Sequence, residues 1–367
     1  MKGLGTISIG VRLPIVTYNQ IGLGNMIFDS LVNASENSGI KIEDKDIICI
    51  TESIVARSNK NYVSVDDIAD DIRYKFGNNA EIILLYPIYS RNRFSMILKG
   101  IARAASKIHL FINNGKDEVG NDLVNPFTGI DIEKFYKEVI ENENCECHIY
   151  KKELELKKLW MQGYTNMINC KCHPTYDEKV KYTPKEFRHK YYTLADICST
   201  KTDAHGYNEE YGVLGSNKAT EESLKLFPTK ESCVKLCNSL RSFIYNKYGV
   251  DVEVMVYGDG CFKDPVGGIW EWADPVVSPY YTPGLEGTPN ELKIKYVADN
   301  ESSDDDFIIE RIKHKDKDLK GKMLSEGTTP RRYCDLIGSL ADLTSGSGDK
   351  GTPVVWVKNY FKNYSED

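Results

Sequence analysis

The sequence lacks any long apolar stretch. No run of about 18 consecutive apolar residues, the length that a membrane-spanning helix needs, occurs in its 367 residues. Near the N-terminus, the apolar residues are interrupted by Gly5, Ser8, Gly10 and Arg12, a pattern that is not typical of a secretory signal peptide. We therefore expect a cytoplasmic protein with no membrane partner.

An excess of positive charge is also missing. The chain has 47 basic and 54 acidic residues, for a formal net charge of −7. Proteins that bind nucleic acid present a basic field to the phosphate backbone, so we expect no nucleic-acid partner, although a local basic pocket for a small anion stays open. The ten cysteines are scattered over a long chain, unlike a small disulfide-rich scaffold, which agrees with a reducing compartment.

Strand-like and helix-like segments alternate in the first third of the chain. Compact apolar runs predict strands at 6–9, 47–51, 82–86 and 108–112, and apolar residues at helical spacing predict helices at 22–32, 65–76 and 94–101. Such alternation favours α/β packing, so we predict a mixed α/β fold.

The second half contains the clearest helix, 229–248, for which Thr229 is a predicted N-cap and Gly249 a predicted C-terminal glycine. Further segments predict a buried strand at 252–256, a helix at 331–343 and a last strand at 354–357. The polar middle, about residues 115–200, reads as an insertion. The segment of about 274–328 is rich in Pro, Gly and Asn and is predicted to be loop-rich.

A glycine-rich loop, Ser345 to Pro353, precedes the last strand. Its glycines let backbone N–H groups converge on an anion, while Lys350 adds positive charge and Asp349 is a possible metal ligand. The loop is not a Walker A sequence, and it connects a helix to a following strand, the reverse of the P-loop order. A flexible connection is the alternative interpretation.

A second candidate, Gly258 to Pro265, directly follows a predicted buried strand, where ligands of α/β proteins gather. Asp259 and Asp264 there suit a divalent metal that bridges phosphate oxygens, although a turn in which aspartates bond their own backbone is an equal alternative. The basic segments Thr328–Arg332 and Tyr89–Arg93 open predicted helices and suit an anion, or they are solvated surface.

The pattern C-x-C-H occurs twice, as Cys145, Cys147 and His148 and as Cys170, Cys172 and His173. Thiolates and imidazoles bind zinc, but the spacing is not the usual one, and in a strand His148 would face away from both cysteines. His205 is a possible base in a loop. The sequence has no G-x-S-x-G motif, so a serine hydrolase is not supported.

Several segments, taken in chain order, resemble the coenzyme F420-0:L-glutamate ligase family of γ-glutamyl ligases. Leu13-Pro14-Ile15-Val16 is similar to its nucleotide loop, and Ile47–Thr51 with Glu52, Ser53 and Arg57 is similar to its strand and Ser-Lys-Ala-Glu-Gly pattern. Further similar segments are Gly212–Asn217, Leu226–Pro228, Val252–Asp259 and Ser345–Val357. The matches cover residues 1–60 and 205–357, and the chain looks like a larger bacterial branch of the family.

The sequence departs from the family at its metal site. Leu214 and Ser347 stand where the family has metal-binding acids, and Asp259 aligns only with a shift of one residue. Asp264 and Asp349 are the acids that can substitute.

The resemblance implies a single domain over residues 1–367 with two lobes, and an intertwined homodimer. It implies amide-bond formation between L-glutamate and a carboxylate acceptor, coenzyme F420-0 or a folate-like molecule, through an acyl phosphate, with GTP or ATP and Mg²⁺ or Mn²⁺. We assign no catalytic residue. Asp259 and Asp264 are the predicted metal ligands. The predicted nucleotide-binding residues are Leu13, Pro14, Ile15, Glu52, Ser53, Arg57, Asn217, Gly346, Ser347, Gly348, Asp349, Lys350 and Gly351.

Two alternatives to a ligase stay open. One is a non-catalytic nucleotide or metabolite binder that has lost its metal ligands. The other is a zinc-stabilised interaction protein, based on the two C-x-C-H segments.

Overall fold

The computed structural model describes residues 4–112, 115–117, 120–127, 129–170, 190–258, 262–263, 270–271, 278–319, 321–325, 332–345 and 348–366. Its helices are α1 (Leu23–Ser38), α2 (Glu52–Ser58), α3 (Val65–Phe76), α4 (Arg93–Ala104), α5 (Ile132–Glu141), α6 (Glu153–Met161), α7 (Lys230–Tyr248), α8 (Ile294–Asn300), α9 (Asp305–Lys313) and α10 (Tyr333–Ser345). None of them is long and apolar enough to cross a membrane.

The strands of this part of the chain are β1 (Ile7–Val11), β2 (Ile47–Thr51), β3 (Tyr62–Ser64), β4 (Ala80–Leu85), β5 (Ala105–Phe111), β6 (Val124–Asn125), β7 (Ile130–Asp131), β8 (Glu146–Tyr150), β9 (Asn166–Asn169), β10 (Lys190–Thr193), β11 (Ser216–Thr220), β12 (Ser223–Leu226), β13 (Glu253–Tyr257), β14 (Phe262–Lys263), β15 (Trp270–Glu271), β16 (Tyr280–Tyr281) and β17 (Val354–Lys358). The mixed α/β fold predicted from the sequence is confirmed.

The first sheet has the order β1-β17-β2-β13-β16 and combines the two ends of the chain. β2 and β13 are parallel, and β17 runs antiparallel between β1 and β2. Ile48 and Ile50 of β2 pack toward α1 and α7, while Ile47 and Cys49 pack toward α10. Both faces of the central strand are therefore covered, which explains why β2 is an uninterrupted apolar run.

The second sheet, β10-β9-β4-β5-β8, is parallel throughout. Helices α3, α4 and α5 cover one of its faces, and α6 covers the other. Three of its strands, β8, β9 and β10, come from the polar middle of the chain. These residues complete the sheet, and their origin as an insertion stays a prediction.

The third sheet, β11-β12-β3, lies beside α3 and α4 and is tied to them by charge. Arg103 of α4 forms ion pairs with Glu143 at 2.8 Å and Asp66 at 2.9 Å, and it also contacts Glu222 in the β11–β12 turn at 3.3 Å. Lys99 adds a further contact to Glu222. This network fixes the hairpin relative to the second sheet.

Most local predictions are confirmed by the structure. The ranges predicted for β2 and α3 are the observed ones. The Thr229 hydroxyl accepts a hydrogen bond from the Ser232 backbone N–H, and Gly249 ends α7 with a positive φ of 71°. Helix α2 was not predicted, because its seven residues are too short to show a periodic pattern. Two helices, α8 and α9, lie inside the segment predicted to be loop-rich.

His109, on β5 of the second sheet, is expected to make stability depend on pH. Its side chain is 3% exposed and contacts the Tyr150 hydroxyl at 3.2 Å and Glu81 at 3.5 Å. Burial lowers the pKa of His109 below its ordinary value. The unfolded chain therefore takes up a proton first as the pH falls, and we expect stability to decrease below about pH 6.5, by at most about 1.4 kcal/mol per pH unit for this group.

Urea unfolding of wild type and His109→Gln between pH 5 and 7.5 measures this effect. In His109→Gln, the free energy of unfolding is expected to change less with pH than in wild type. His148→Gln is the matched control, because His148 lies opposite His109 on β8 but its side chain is 47% exposed. An equal pH dependence of the free energy of unfolding in wild type and His109→Gln would contradict the prediction.

Candidate functional site

The site is built on one row of side chains across the third sheet. Lys225 of β12 is in register with Asn217 of β11 on one side and with Tyr62 of β3 on the other. Residues in register project from the same face of a sheet and are close neighbours. Leu224 and Leu226, the neighbours of Lys225 in sequence, are fully buried in the core, so Lys225 is directed to the opposite face.

Helix α2 lies over this row, directly after β2. The Asn217 side-chain amide donates a hydrogen bond of 2.8 Å to Glu52 Oε1, and Lys225 Nζ donates to the Ser53 hydroxyl. Glu52 is only 1% exposed. The first two residues of α2 are thereby fixed to two neighbouring strands of the third sheet.

Arg57, at the other end of α2, binds the loop that follows β1. Its Nε donates a hydrogen bond of 2.8 Å to the Val16 carbonyl, and its own carbonyl accepts one from the Asn19 N–H at 3.3 Å. Burial raises the pKa of the Tyr62 hydroxyl, and the nearby Arg57 guanidinium opposes this rise. Arg57 is exposed and so is available to a ligand.

The two loops predicted to bind nucleotide contact each other. The Leu13 N–H donates a hydrogen bond of 3.2 Å to the Gly351 carbonyl. The second loop is also held by β2, since the N–H of Thr51, its last residue, donates one of 3.0 Å to the Pro353 carbonyl. Gly351 has a φ of 64°, a backbone conformation that glycine adopts without strain. Pro14 and Ile15 are exposed beside this contact.

The structure thus brings together Leu13, Glu52, Ser53, Arg57, Asn217 and Gly351. Gly348, Asp349 and Lys350 form an exposed turn next to them. Gly346 and Ser347 lie outside the described residues. The role of all these residues in nucleotide binding stays a prediction.

The predicted metal ligands Asp259 and Asp264 also lie outside the described residues. Leu214 is buried at 2% exposure, and its carbonyl accepts a hydrogen bond from Arg93 Nη1 at 3.3 Å, so its side chain belongs to the core. No group of three His, Cys, Asp or Glu residues suited to a metal occurs in the described ranges.

Two of the remaining basic candidates, Arg93 and Arg332, have structural partners. Arg93 opens α4, is 5% exposed and reaches the Leu214 carbonyl, which places it inside the fold. Arg332 forms two hydrogen bonds with Asp335, of 2.9 and 3.0 Å, and Arg331 is outside the described residues. His205 Nδ1 lies 2.6 Å from the Gly206 carbonyl.

The first C-x-C-H segment forms strand β8 and the turn before it. Cys145 and Cys147 are buried, and burial raises the pKa of each thiol to about 12. His148 faces the other way, as expected for a strand, with its Nε2 at 2.5 Å from Glu146. Cys170 is buried, whereas Cys172 and His173 fall outside the described residues, so zinc binding stays a prediction.

Sequence reasoning missed Tyr18, Tyr62 and Lys225 in this site. The Tyr18 and Tyr62 rings lie 5.4 Å apart, and Lys60 Nζ is 5.4 Å from the centre of the Tyr18 ring. The alternation Leu224-Lys225-Leu226 was a signal for a strand with an outward lysine. Nothing in the local sequence indicated which helix that lysine would meet.

Comparison with protein-family models gives a match that is described as F420-0:Gamma-glutamyl ligase and covers residues 10–359. A search of curated proteins finds none that matches this chain. The family match spans nearly the whole chain, including the polar middle that the sequence motifs did not cover. It also includes the two loops and the three-stranded sheet of the site. The chain therefore belongs to the F420-0:gamma-glutamyl ligase family.

Proposed function

We propose that this protein is a nucleotide-dependent γ-glutamyl ligase that joins L-glutamate to a carboxylate acceptor, coenzyme F420-0 or a folate-like molecule. The observation that carries the proposal is the convergence of the Leu13 loop, the Gly351 loop, α2 and Asn217 at one place in a chain of this family. We also propose that it acts in the cytoplasm as a homodimer.

The proposed reaction has two steps. In the first, a carboxylate oxygen of the acceptor attacks the terminal phosphorus of GTP or ATP, and the nucleoside diphosphate leaves. In the second, the amine nitrogen of glutamate attacks the acyl carbon, phosphate leaves, and the amine loses a proton to give the amide. The first step needs in-line positioning and cations near the phosphates.

The described residues supply positioning and positive charge for this reaction. Arg57 is exposed, and its Nε is fixed on the Val16 carbonyl, so the guanidinium is oriented before a ligand arrives. Asn217 is oriented by Glu52. Preorganised donors of this kind stabilise charge that develops on phosphoryl oxygens. An acyl phosphate also requires exclusion of water.

The donor set for Mg²⁺ or Mn²⁺ is incomplete among the described residues. Leu214 is an apolar core residue, and Glu52 already accepts the Asn217 amide. Asp259 and Asp264 stay the proposed ligands of the cation that such ligases use to neutralise phosphate charge.

Phosphate release tests the proposal. Purified protein is mixed with GTP or ATP, Mg²⁺ or Mn²⁺, L-glutamate and either coenzyme F420-0 or a folate. We expect stoichiometric phosphate and an acceptor heavier by one glutamyl group in one of the mixtures, and neither product when glutamate or acceptor is omitted. Absence of glutamyl transfer to both acceptors would reject this activity.

A second candidate function is favoured by Leu214, whose buried side chain cannot replace a metal-binding acid. It is a nucleotide or metabolite binder without catalysis. Such a protein would be stabilised thermally by nucleotide to the same extent with Mg²⁺ or with EDTA. The ligase is expected to require the divalent cation.

A further inference from the structure

Lys225 was not among the sequence candidates, yet it occupies the middle of the row that α2 covers. It lies between Asn217 and Tyr62 in strand register and donates a hydrogen bond to Ser53. Two of these three neighbours, Asn217 and Ser53, are predicted nucleotide-binding residues. Its position is fixed by the core, because Leu224 and Leu226 anchor β12 on the opposite face.

The second observation concerns the positive charge of Lys225, which no carboxylate of the described residues neutralises in an ion pair. Within the residues that the structure describes, neither Lys225 nor Arg57 forms an ion pair with a carboxylate; their side-chain nitrogens meet the Ser53 hydroxyl and the Val16 carbonyl. By contrast, Lys218 on the same hairpin pairs with Glu221 at 2.6 Å, and Lys75 pairs with Asp71 at 2.7 Å. Two cations that form no ion pair with a carboxylate of the described residues, Lys225 and Arg57, therefore flank Tyr62.

We propose that Lys225 is a phosphate-binding residue, a second cation that acts with Arg57 on the polyphosphate chain of the nucleotide. This inference rests on the proposed function and deepens it. The two cations reach the ligand from different elements, β12 and α2, so the phosphate chain would bridge the third sheet and the helix. Ser53 orients the lysine, since its hydroxyl accepts one of the three ammonium hydrogens and leaves two for phosphate oxygens.

A purely structural role makes a different prediction. If Lys225 only joined β12 to α2, a neutral donor at this position would be sufficient. Lys225→Gln keeps an N–H group for Ser53 but removes the charge, while Lys225→Arg keeps the charge. If Lys225 only positions α2, both variants should behave as wild type does. If Lys225 binds an anion, only Lys225→Arg should.

The test is isothermal titration calorimetry of the full chain with tripolyphosphate, GTP and ATP. Lys225→Gln is expected to weaken binding of tripolyphosphate and of the nucleotide that wild type prefers by about 10- to 100-fold, the range for loss of one charge-assisted contact. Lys225→Arg is expected to retain most of the affinity. Lys218→Met is the control, a lysine of the same hairpin on the opposite face, and should bind as wild type does.

Thermal unfolding of each variant shows whether the fold is retained. The KM for glutamate shows whether Lys225 contacts glutamate, the other anionic substrate, and not the nucleotide. Unchanged polyphosphate affinity in Lys225→Gln would overturn the proposal, as would an effect on the glutamate KM alone or a wild type that binds none of the three probes. If glutamyl transfer is absent but tripolyphosphate binding falls as expected, the ligase proposal fails and the phosphate site stands.

Discussion

Replacing Arg57 with methionine is expected to reduce kcat/KM for glutamyl transfer by about 100- to 1000-fold, the range for loss of one preorganised charged donor at a reacting phosphoryl group. The physical reason is the position of its guanidinium, exposed beside the Leu13 loop and oriented by the Val16 carbonyl at 2.8 Å. Steady-state phosphate release with saturating glutamate and acceptor measures the effect.

Two further variants serve as controls for Arg57→Met. Arg57→Lys keeps the charge but lacks the planar guanidinium, so it is expected to recover part of the activity. Arg241→Met is the matched arginine control, because Arg241 lies on α7 and pairs with Asp251 at 2.7 Å. Arg57 is exposed but donates a hydrogen bond to the Val16 carbonyl, so its loss is expected to lower the free energy of unfolding by about 0.5–1.5 kcal/mol, which leaves the protein folded. Full turnover by Arg57→Met would exclude Arg57 from the reaction.

The largest expected effect on stability comes from Lys358, at the end of β17. Its Nζ donates to Asp46 Oδ2 at 2.8 Å and to the Lys41 carbonyl at 2.6 Å, and both charged side chains are buried, at 6% and 3% exposure. Trp356 Nε1 also donates to the Asp46 carboxylate, at 2.8 Å. Lys358→Met would leave a buried carboxylate without its counter-ion, and we expect a loss of about 3–5 kcal/mol in the free energy of unfolding.

Urea unfolding at neutral pH checks this value. The double variant Asp46→Asn with Lys358→Met should recover part of the loss, since the uncompensated charge is then gone. Lys362→Met, an exposed lysine four residues further on, is expected to stay within about 0.5 kcal/mol of wild type. Equal unfolding midpoints for Lys358→Met and Lys362→Met would contradict the assignment of stability to the buried pair.

The same lysine gives a pH dependence through Glu43. A hydrogen bond and the charge of Lys358 hold the pKa of Glu43 below its ordinary value. The folded chain therefore releases this proton at a lower pH than the unfolded chain. The resulting stabilisation is present above the ordinary carboxyl pKa and is lost as the pH falls through the lowered one.

The sequence was sufficient to predict those elements whose pattern lies within a short stretch of the chain. The cap at Thr229, the glycine that ends α7, the apolar run of β2 and the periodic face of α3 were all predicted, because each depends on residues within a few positions of one another. The candidates Glu52, Ser53, Arg57 and Asn217 were reached through the family resemblance and not through a local pattern.

The sequence by itself determined the α/β class, elements such as β2, α3 and α7, the family, and several of the segments that form the candidate site. Tertiary structure alone decided that β17 lies between β1 and β2, and that Lys225 and Tyr62 stand beside Asn217 under α2. The place of β3 in the third sheet arises from pairing between residues more than a hundred positions apart, such as Tyr62 and Lys225, and no local pattern encodes such a pairing. The position of Lys225 in the site is therefore a property of the folded sheet, although the lysine itself is visible in the sequence.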